Sequence, residues 1–178
     1  MLFRSTHAFL EFCDFERLIR TGIEEECARL VEKKFLNTET AAIIHQNQLA
    51  LFLKSNLLRW VMQARKVYRE QKFSLFMPFS DLTADKALAS ELQGHNLFVQ
   101  GSIDLLLHMP NDELYLIDYK TDRITEKERN NTCLLSARMK ETHGTQLACY
   151  REAVKELFGR HPDKTFIYSL PLGSAIEI

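Results

Sequence analysis

A chain of 178 residues, 46% apolar and 26% charged, can bury the core of one compact domain and is too short for two ordinary ones. A formal net charge of −1 excludes a polycation that grips nucleic acid with its whole surface, though a local basic patch stays compatible with it. No run approaches the ~20 apolar residues of a membrane span, and the start, MLFRSTHAFLEF, lacks the charged, hydrophobic, small order of a signal peptide.

The first ~66 residues read as helical. Thr21-Gly22-Ile23-Glu24 fits a capping box, followed by Ile23, Cys27, Leu30 and Val31 at helical spacing. A further helical region is expected over 40–54, and Ser55 is placed to cap another helix containing Leu57, Leu58, Trp60 and Val61. The period then changes. Phe73, Leu75 and Met77 alternate, which predicts a strand ending at Pro78, and the polar, alanine-rich residues 80–93 read as a loop. Two long strands, 97–109 and 114–120, flank a turn at Pro110-Asn111-Asp112-Glu113. Residues 121–139 are charged and read as a mobile surface connection. Helical period returns over 142–158, with Leu147, Tyr150, Val154, Leu157 and Phe158 on one side and Gly159 and Pro162 as stop signals. A last strand is expected over 165–170, with a short edge at 175–178. The expectation is one α/β domain over 1–178: a mainly helical part over 1–66, then a sheet core over 67–178.

Cys13, Cys27, Cys133 and Cys149 are scattered, with no C-x-x-C pair, so they read as reduced, mostly buried thiols of a cytoplasmic protein rather than zinc or iron–sulfur ligands. The Asn130-Asn131-Thr132 sequon then reads as accidental.

Asp104 and Asp118 stand inside the two apolar runs of the hairpin, where an unpaired carboxylate is costly. A three-residue loop at Pro110-Asn111-Asp112 would pair Met109 with Glu113 and set Asp104 directly opposite Asp118, Cβ atoms roughly 4.5–5.5 Å apart. A four-residue loop would shift the register by one. Asp118 and Lys120 are two apart and share a face, with Tyr119 on the other. Two adjacent carboxylates repel unless a cation joins them, and Mg²⁺ suits such a pair. A D-x-K arises roughly once by chance in a chain of this composition, and an ordinary ion pair on a wet sheet face is the alternative.

Gly101-Ser102-Ile103-Asp104, then Leu116-Ile117-Asp118-Tyr119-Lys120-Thr121-Asp122, then Gln146 and Tyr150 in a Q-L-x-x-Y pattern, resemble the signature of RecB-family nucleases in the PD-(D/E)xK superfamily. The strand around Arg69–Leu75 and the Phe12-Cys13-Asp14-Phe15 stretch extend the resemblance to the nuclease domains of AddA-type helicase–nucleases, along essentially the whole chain. The resemblance implies a restriction-endonuclease-like core, a central mixed β-sheet flanked by helices. It implies that His7, Asp104, Asp118 and the Tyr119 carbonyl bind metal, and that Lys120, Asp118, Asp104, Gln146 and Tyr150 serve catalysis. The family usually reads G-T-x-x-H where this chain has Phe3-Arg4-Ser5-Thr6-His7, so His7 departs from the pattern and could instead be a core or surface histidine. Glu70, at the start of a strand near the site in this family, and Glu11, one turn beyond His7, are further acidic neighbours. Arg123, Lys127 and Arg129 could meet phosphates or form a solvated loop.

The implied activity is Mg²⁺-dependent exonuclease-type hydrolysis of DNA, with Mn²⁺ as substitute, in double-strand-break repair and recombination in the bacterial cytoplasm. The implied partners are DNA, an AddB-like protein, and helicase domains of the same full-length polypeptide. The chain has no G-x-x-x-x-G-K-[ST] phosphate loop, so no ATP site is expected in it. A catalytically silent nuclease-like scaffold or docking domain is the alternative.

Overall fold

The computed structural model describes residues 2–83 and 85–178; Met1 and Ala84 lie outside it. Six helices come first: α1 (Leu2–Phe12), α2 (Phe15–Thr21), α3 (Ile23–Glu32), α4 (Thr38–Ala42), α5 (Gln46–Leu53) and α6 (Asn56–Gln63). Strand β1 (Lys66–Pro78), α7 (Lys86–Glu91), β2 (Asn96–His108) and β3 (Leu114–Lys120) follow. Then come α8 (Glu126–Arg129), α9 (Thr132–Phe158), β4 (Lys164–Ser169) and β5 (Ser174–Glu177). The five strands form one sheet in the order β1-β2-β3-β4-β5; β3 and β4 are parallel, and every other neighbouring pair is antiparallel. The parallel step requires a crossover, and α8 and α9 supply it. The expected mixed sheet flanked by helices is the fold observed.

Alternation along the strands sorts the core into two layers. Leu105, Leu107, Tyr115, Ile117, Tyr119, Phe166 and Tyr168 face the N-terminal helices, packing with Phe9, Leu18, Leu49 and Phe52. Leu106, Leu114, Leu116 and Ile167 face α9, against Leu135, Met139, Leu147, Ala153 and Val154. Strand β3 is therefore buried along its whole length, as covering on both faces demands.

The β2–β3 turn takes the three-residue form. Met109 N donates to Glu113 O at 2.8 Å, and Asp112 adopts φ 69°, the left-handed residue that closes such loops. The ladder runs from His108↔Leu114 to Leu105↔Ile117, which is the register that aims Asp104 at Asp118.

Several local expectations are corrected. Thr21 forms no capping box: its hydroxyl donates to Arg17 O, while Gly22 at φ 89° ends α2 and starts α3 without a side-chain cap. The helical region expected over 40–54 comprises two helices, α4 and α5, separated around Ile44 and His45. Ser55 does cap α6, accepting from Leu58 N. Residues 80–93 contain α7, started by Asp85, whose carboxylate accepts from Ala87 N and Leu88 N. Residues 121–139 are ordered as α8, with a Thr125–Glu128 capping box, and as the first turns of α9. Asn131 accepts from Leu134 N and so starts α9 ten residues before the expected position. Leu157 is exposed rather than on the core side of α9. Of the four thiols, Cys13 and Cys149 are buried, Cys27 partly so, and Cys133 is exposed.

Candidate active site

Strand alternation breaks at one place, and the site lies there. Along β1, Val67 packs toward the N-terminal helices and Tyr68 toward α9, yet further on Phe73 and Leu75 also lie with α9. Along β2, Leu105 faces the helices while Ile103, two residues away, joins the α9 side. The β1–β2 pairing keeps the same offset on both sides of the break, Arg69↔Leu105 and Gln71↔Ile103, and only Glu70 and Asp104 between them are unpaired. Each strand thus carries one residue outside the ladder. Glu70 takes φ 45°, a conformation that costs an L-residue about 1 kcal/mol or more and that persists where the surroundings enforce it.

The neighbouring Arg69 ties this point of β1 to α1. Its guanidinium Nη1 donates to the carbonyls of Cys13 (2.6 Å), Glu11 (3.0 Å) and Leu10 (3.4 Å), at and just beyond the end of α1, where helix carbonyls lack an intrahelical donor. It also lies over the Phe15 ring, 4.0 Å from the centroid. Strict alternation would send the Glu70 side chain to the α9 face; its left-handed backbone instead brings it beside His7 of α1. One carboxylate or imidazole atom from each of His7, Glu70 and Asp104 lies within 4.8 Å of the others.

These three residues line a cleft of ≈ 330 Å³ with Ala8, Glu11, Ser102, Asp118, Lys120, Gln146 and Tyr150. Asp118 is 1% exposed and Lys120 7%, both at the C-terminal end of β3. Lys120 Nζ stands 2.7 Å from Asp118 Oδ2 and donates to Gln146 Oε1 at 2.8 Å. Gln146 Nε2 in turn donates to the Tyr150 hydroxyl at 2.7 Å, a bond available because positions four apart share a helix face. Asp104 Oδ2 accepts from Tyr119 N at 2.8 Å and lies 3.8 Å from His7 Nδ1. The Tyr119 side chain points away, to the N-terminal helices, and meets the His7 ring edge-on at 5.5 Å. Phe73 packs edge-on against Tyr150 at 5.7 Å and lies across Gly101, where an added Cβ would come 2.7 Å from the ring. The glycine of Gly-Ser-Ile-Asp therefore lets an aromatic support the Tyr150–Gln146–Lys120 chain.

Burial raises both aspartates to about 6; the charge of Asp104 adds to the shift at Asp118, and that of Glu70 to the shift at Asp104. Burial also lowers His7, favouring the neutral imidazole that can donate a lone pair. The Tyr150 phenol is pushed up, chiefly by burial and then by the two aspartates, and stays protonated at neutral pH. Asp118 Oδ1 is buried with no hydrogen-bond donor among the described residues. Oxygen-rich donors, converging carboxylates and an unsatisfied buried oxygen fit a hard divalent cation.

All seven sequence-derived residues, His7, Asp104, Asp118, Tyr119, Lys120, Gln146 and Tyr150, meet at or beside this cleft. Glu70 is the residue that sequence reasoning undervalued. Its signal was a phase change: the apolar pair Val67-Tyr68 does not continue into the alternation of Phe73, Leu75 and Met77. Glu11 lines the outer wall, its carboxyl raised by burial and then by Glu70. Arg123, Lys127 and Arg129 are exposed and outside the cleft lining. Asp122, of the same run as Lys120, instead meets His143 at 3.1 Å and Arg138 at 3.7 Å, tying the end of β3 to α9.

Comparison with known proteins shows the family of the chain. The chain is 30% identical to the large ATP-dependent helicase/nuclease polypeptide of Clostridium beijerinckii over 98% of its own length, and 31% identical to that of Clostridium botulinum over 97%. The ATP-dependent helicase/nuclease polypeptide of Geobacillus thermodenitrificans is 31% identical over 84% of the chain. The aligned region makes up only 14%, 13% and 12% of those relatives, in the same order. A family model described as the PD-(D/E)XK nuclease superfamily matches residues 4–176, and with that near end-to-end match the chain belongs to this superfamily.

Proposed function

We propose that the cleft hydrolyses DNA phosphodiester bonds, in an exonuclease-type reaction that depends on Mg²⁺ and accepts Mn²⁺. The observation that carries the reading is the placement of Asp104, Asp118 and Lys120 in one cleft, with Lys120 held between Asp118 and Gln146. Asp104, Asp118, His7 and the Tyr119 carbonyl would hold the cation, and Glu70 joins them on its position. When bound, the cation would neutralise the carboxylates and polarise the scissile phosphate.

The protein's own groups do the rest. Asp118 pairs with the Lys120 side chain and Gln146 fixes its direction, so a positive charge is already in place where the pentavalent phosphate gathers negative charge. The ammonium also offers a proton to orient the attacking water. Tyr150 fixes Gln146, and Phe73 backs Tyr150. Asp104 is anchored by Tyr119 N, which holds its carboxylate at the cleft.

The reading extends to the setting. The relatives are named for helicase and nuclease activities, and this chain spans about a seventh of their length at most. It is read as the nuclease part of such a polypeptide, serving bacterial double-strand-break repair and recombination in the cytoplasm, with helicase domains in the same polypeptide and an AddB-like partner that delivers the strand. The near-neutral charge supports weak, salt-sensitive DNA binding by this chain alone.

Digestion of linear single- and double-stranded DNA with Mg²⁺ or Mn²⁺ at low salt tests the function. Asp118→Asn and Lys120→Gln keep side-chain volume and are each expected to lower the rate at least ~10²-fold. Undiminished cutting by either variant would sink the assignment.

A further inference from the structure

Beyond Glu70 and Asp104 the β1–β2 hairpin continues outward to Pro78↔Asn96, and its two faces differ in chemistry. Phe73, Leu75 and Val99 turn to α9. The opposite face carries three cross-strand pairs in succession: Lys72↔Ser102, Ser74↔Gln100 and Phe76↔Phe98. Ser102 lines the catalytic cleft, so this strip begins inside it. At the far end Phe76 is 70% exposed and Phe98 55%, with ring centroids 5.2 Å apart and planes tilted by 48°. At ~3.4 Å of rise per residue, the two rings stand ~20 Å from Asp104 along the strand.

Charge separates the faces further. These three pairs hold Lys72 and no carboxylate, whereas on the α9 side the groups beside Leu75 and Met77 are three carboxylates, Asp81, Glu152 and Glu156, and one ammonium, Lys155, which pairs with Glu152 at 3.5 Å. Net charge is therefore positive along the strip and negative on the α9 side. The two rings are cut off from the core by Ser74 and Gln100, so they form an isolated aromatic step rather than the margin of an apolar interface. Flat rings in solvent, a cation nearer the cleft, and polar groups between suit a strand whose bases are unpaired and can stack.

We propose that this strip is the track along which a single DNA strand enters the cleft, its bases stacking on Phe76 and Phe98 and its backbone passing Lys72. The inference rests on the DNA-nuclease function proposed above.

Fluorescence anisotropy of this chain in EDTA at low salt tests it, with a labelled oligothymidylate of about 20 nucleotides and an abasic strand of the same length. The unaltered chain is expected to prefer the thymidylate. The F76A/F98A variant is expected to bind it ~5-fold more weakly or worse and to lose the preference over the abasic strand. F76Y/F98Y, which keeps the aromatic faces, retains both properties, and F76L/F98L, which keeps only apolar bulk, behaves like the alanine variant. The track is overturned if the alanine variant binds like the unaltered chain, if no base preference exists, or if leucine preserves affinity; the last result would assign the rings to an apolar protein contact. Digestion with Mn²⁺ by the same preparations separates the two readings. Cutting without any base preference removes the track and leaves the nuclease standing, whereas base preference without cutting does the reverse.

Discussion

Asp104 and Asp118 are held in the protein at a cost that a cation would relieve. Each is raised to about 6 by burial and by neighbouring carboxylates, against roughly 3.9 for an aspartate in an unfolded chain. The native state therefore holds these protons more tightly than the unfolded chain does. Their stabilising contribution is full below pH ~4 and is lost as pH rises through 6. Asp104→Asn keeps an oxygen to accept from Tyr119 N and removes one charge. In metal-free buffer the variant is expected to be more stable than the unaltered protein at pH 7.5, by roughly 1–3 kcal/mol, with the difference closing near pH 4. Urea unfolding in EDTA across that range reads it, and a pH-independent difference would show that Asp104 is not the strained group. These aspartates were legible because a carboxylate inside an apolar run is unusual. Glu70 was less so, because only its left-handed backbone turns it to the site, and the phase change between Val67-Tyr68 and Phe73 marks a break without saying which residue it re-aims.

Among the elements, the joint between α1 and β1 decides whether His7 faces the carboxylates. Arg69 makes that joint by donating to three carbonyls at the end of α1. Arg69→Ala leaves those acceptors without their donor and is expected to cost about 2 kcal/mol, read by denaturant unfolding. It should also weaken Mn²⁺ binding, since α1 carries His7; unchanged stability with unchanged affinity would show that α1 is positioned by its apolar face alone. The hairpin was readable in advance, but its register only as one of two alternatives; the observed ladder takes that of the three-residue loop. The N-terminal turns of α9 were not readable. Residues such as Cys133, Leu134 and Lys140 are exposed there, so the apolar stripe that announces a helix begins only further along. At Gly22 one residue serves two helices, and the threonine before it caps neither in the expected way.

At the scale of the molecule, a sheet covered on both faces leaves an opening at the step where β1 and β2 change phase, and the polar chemistry collects there. Helix α1 brings His7 and Glu11 to it, α9 brings Gln146 and Tyr150, and the strands bring Glu70, Asp104, Asp118 and Lys120. Hydrophobic period yielded most elements and an α/β domain; the mixed sheet between helical layers and the convergence of distant residues required the resemblance as well, since spacing alone left Asp118 and Lys120 open to an ordinary ion pair. The central proposal is that this opening binds a divalent cation through the buried aspartates. Calorimetric titration with Mn²⁺ at pH 7.5 measures it directly, comparing the unaltered chain with Asp104→Asn and Asp118→Asn. Saturable binding that either substitution weakens at least ~10-fold is the expected result. No saturable binding, or binding equally tight in both variants, would contradict it.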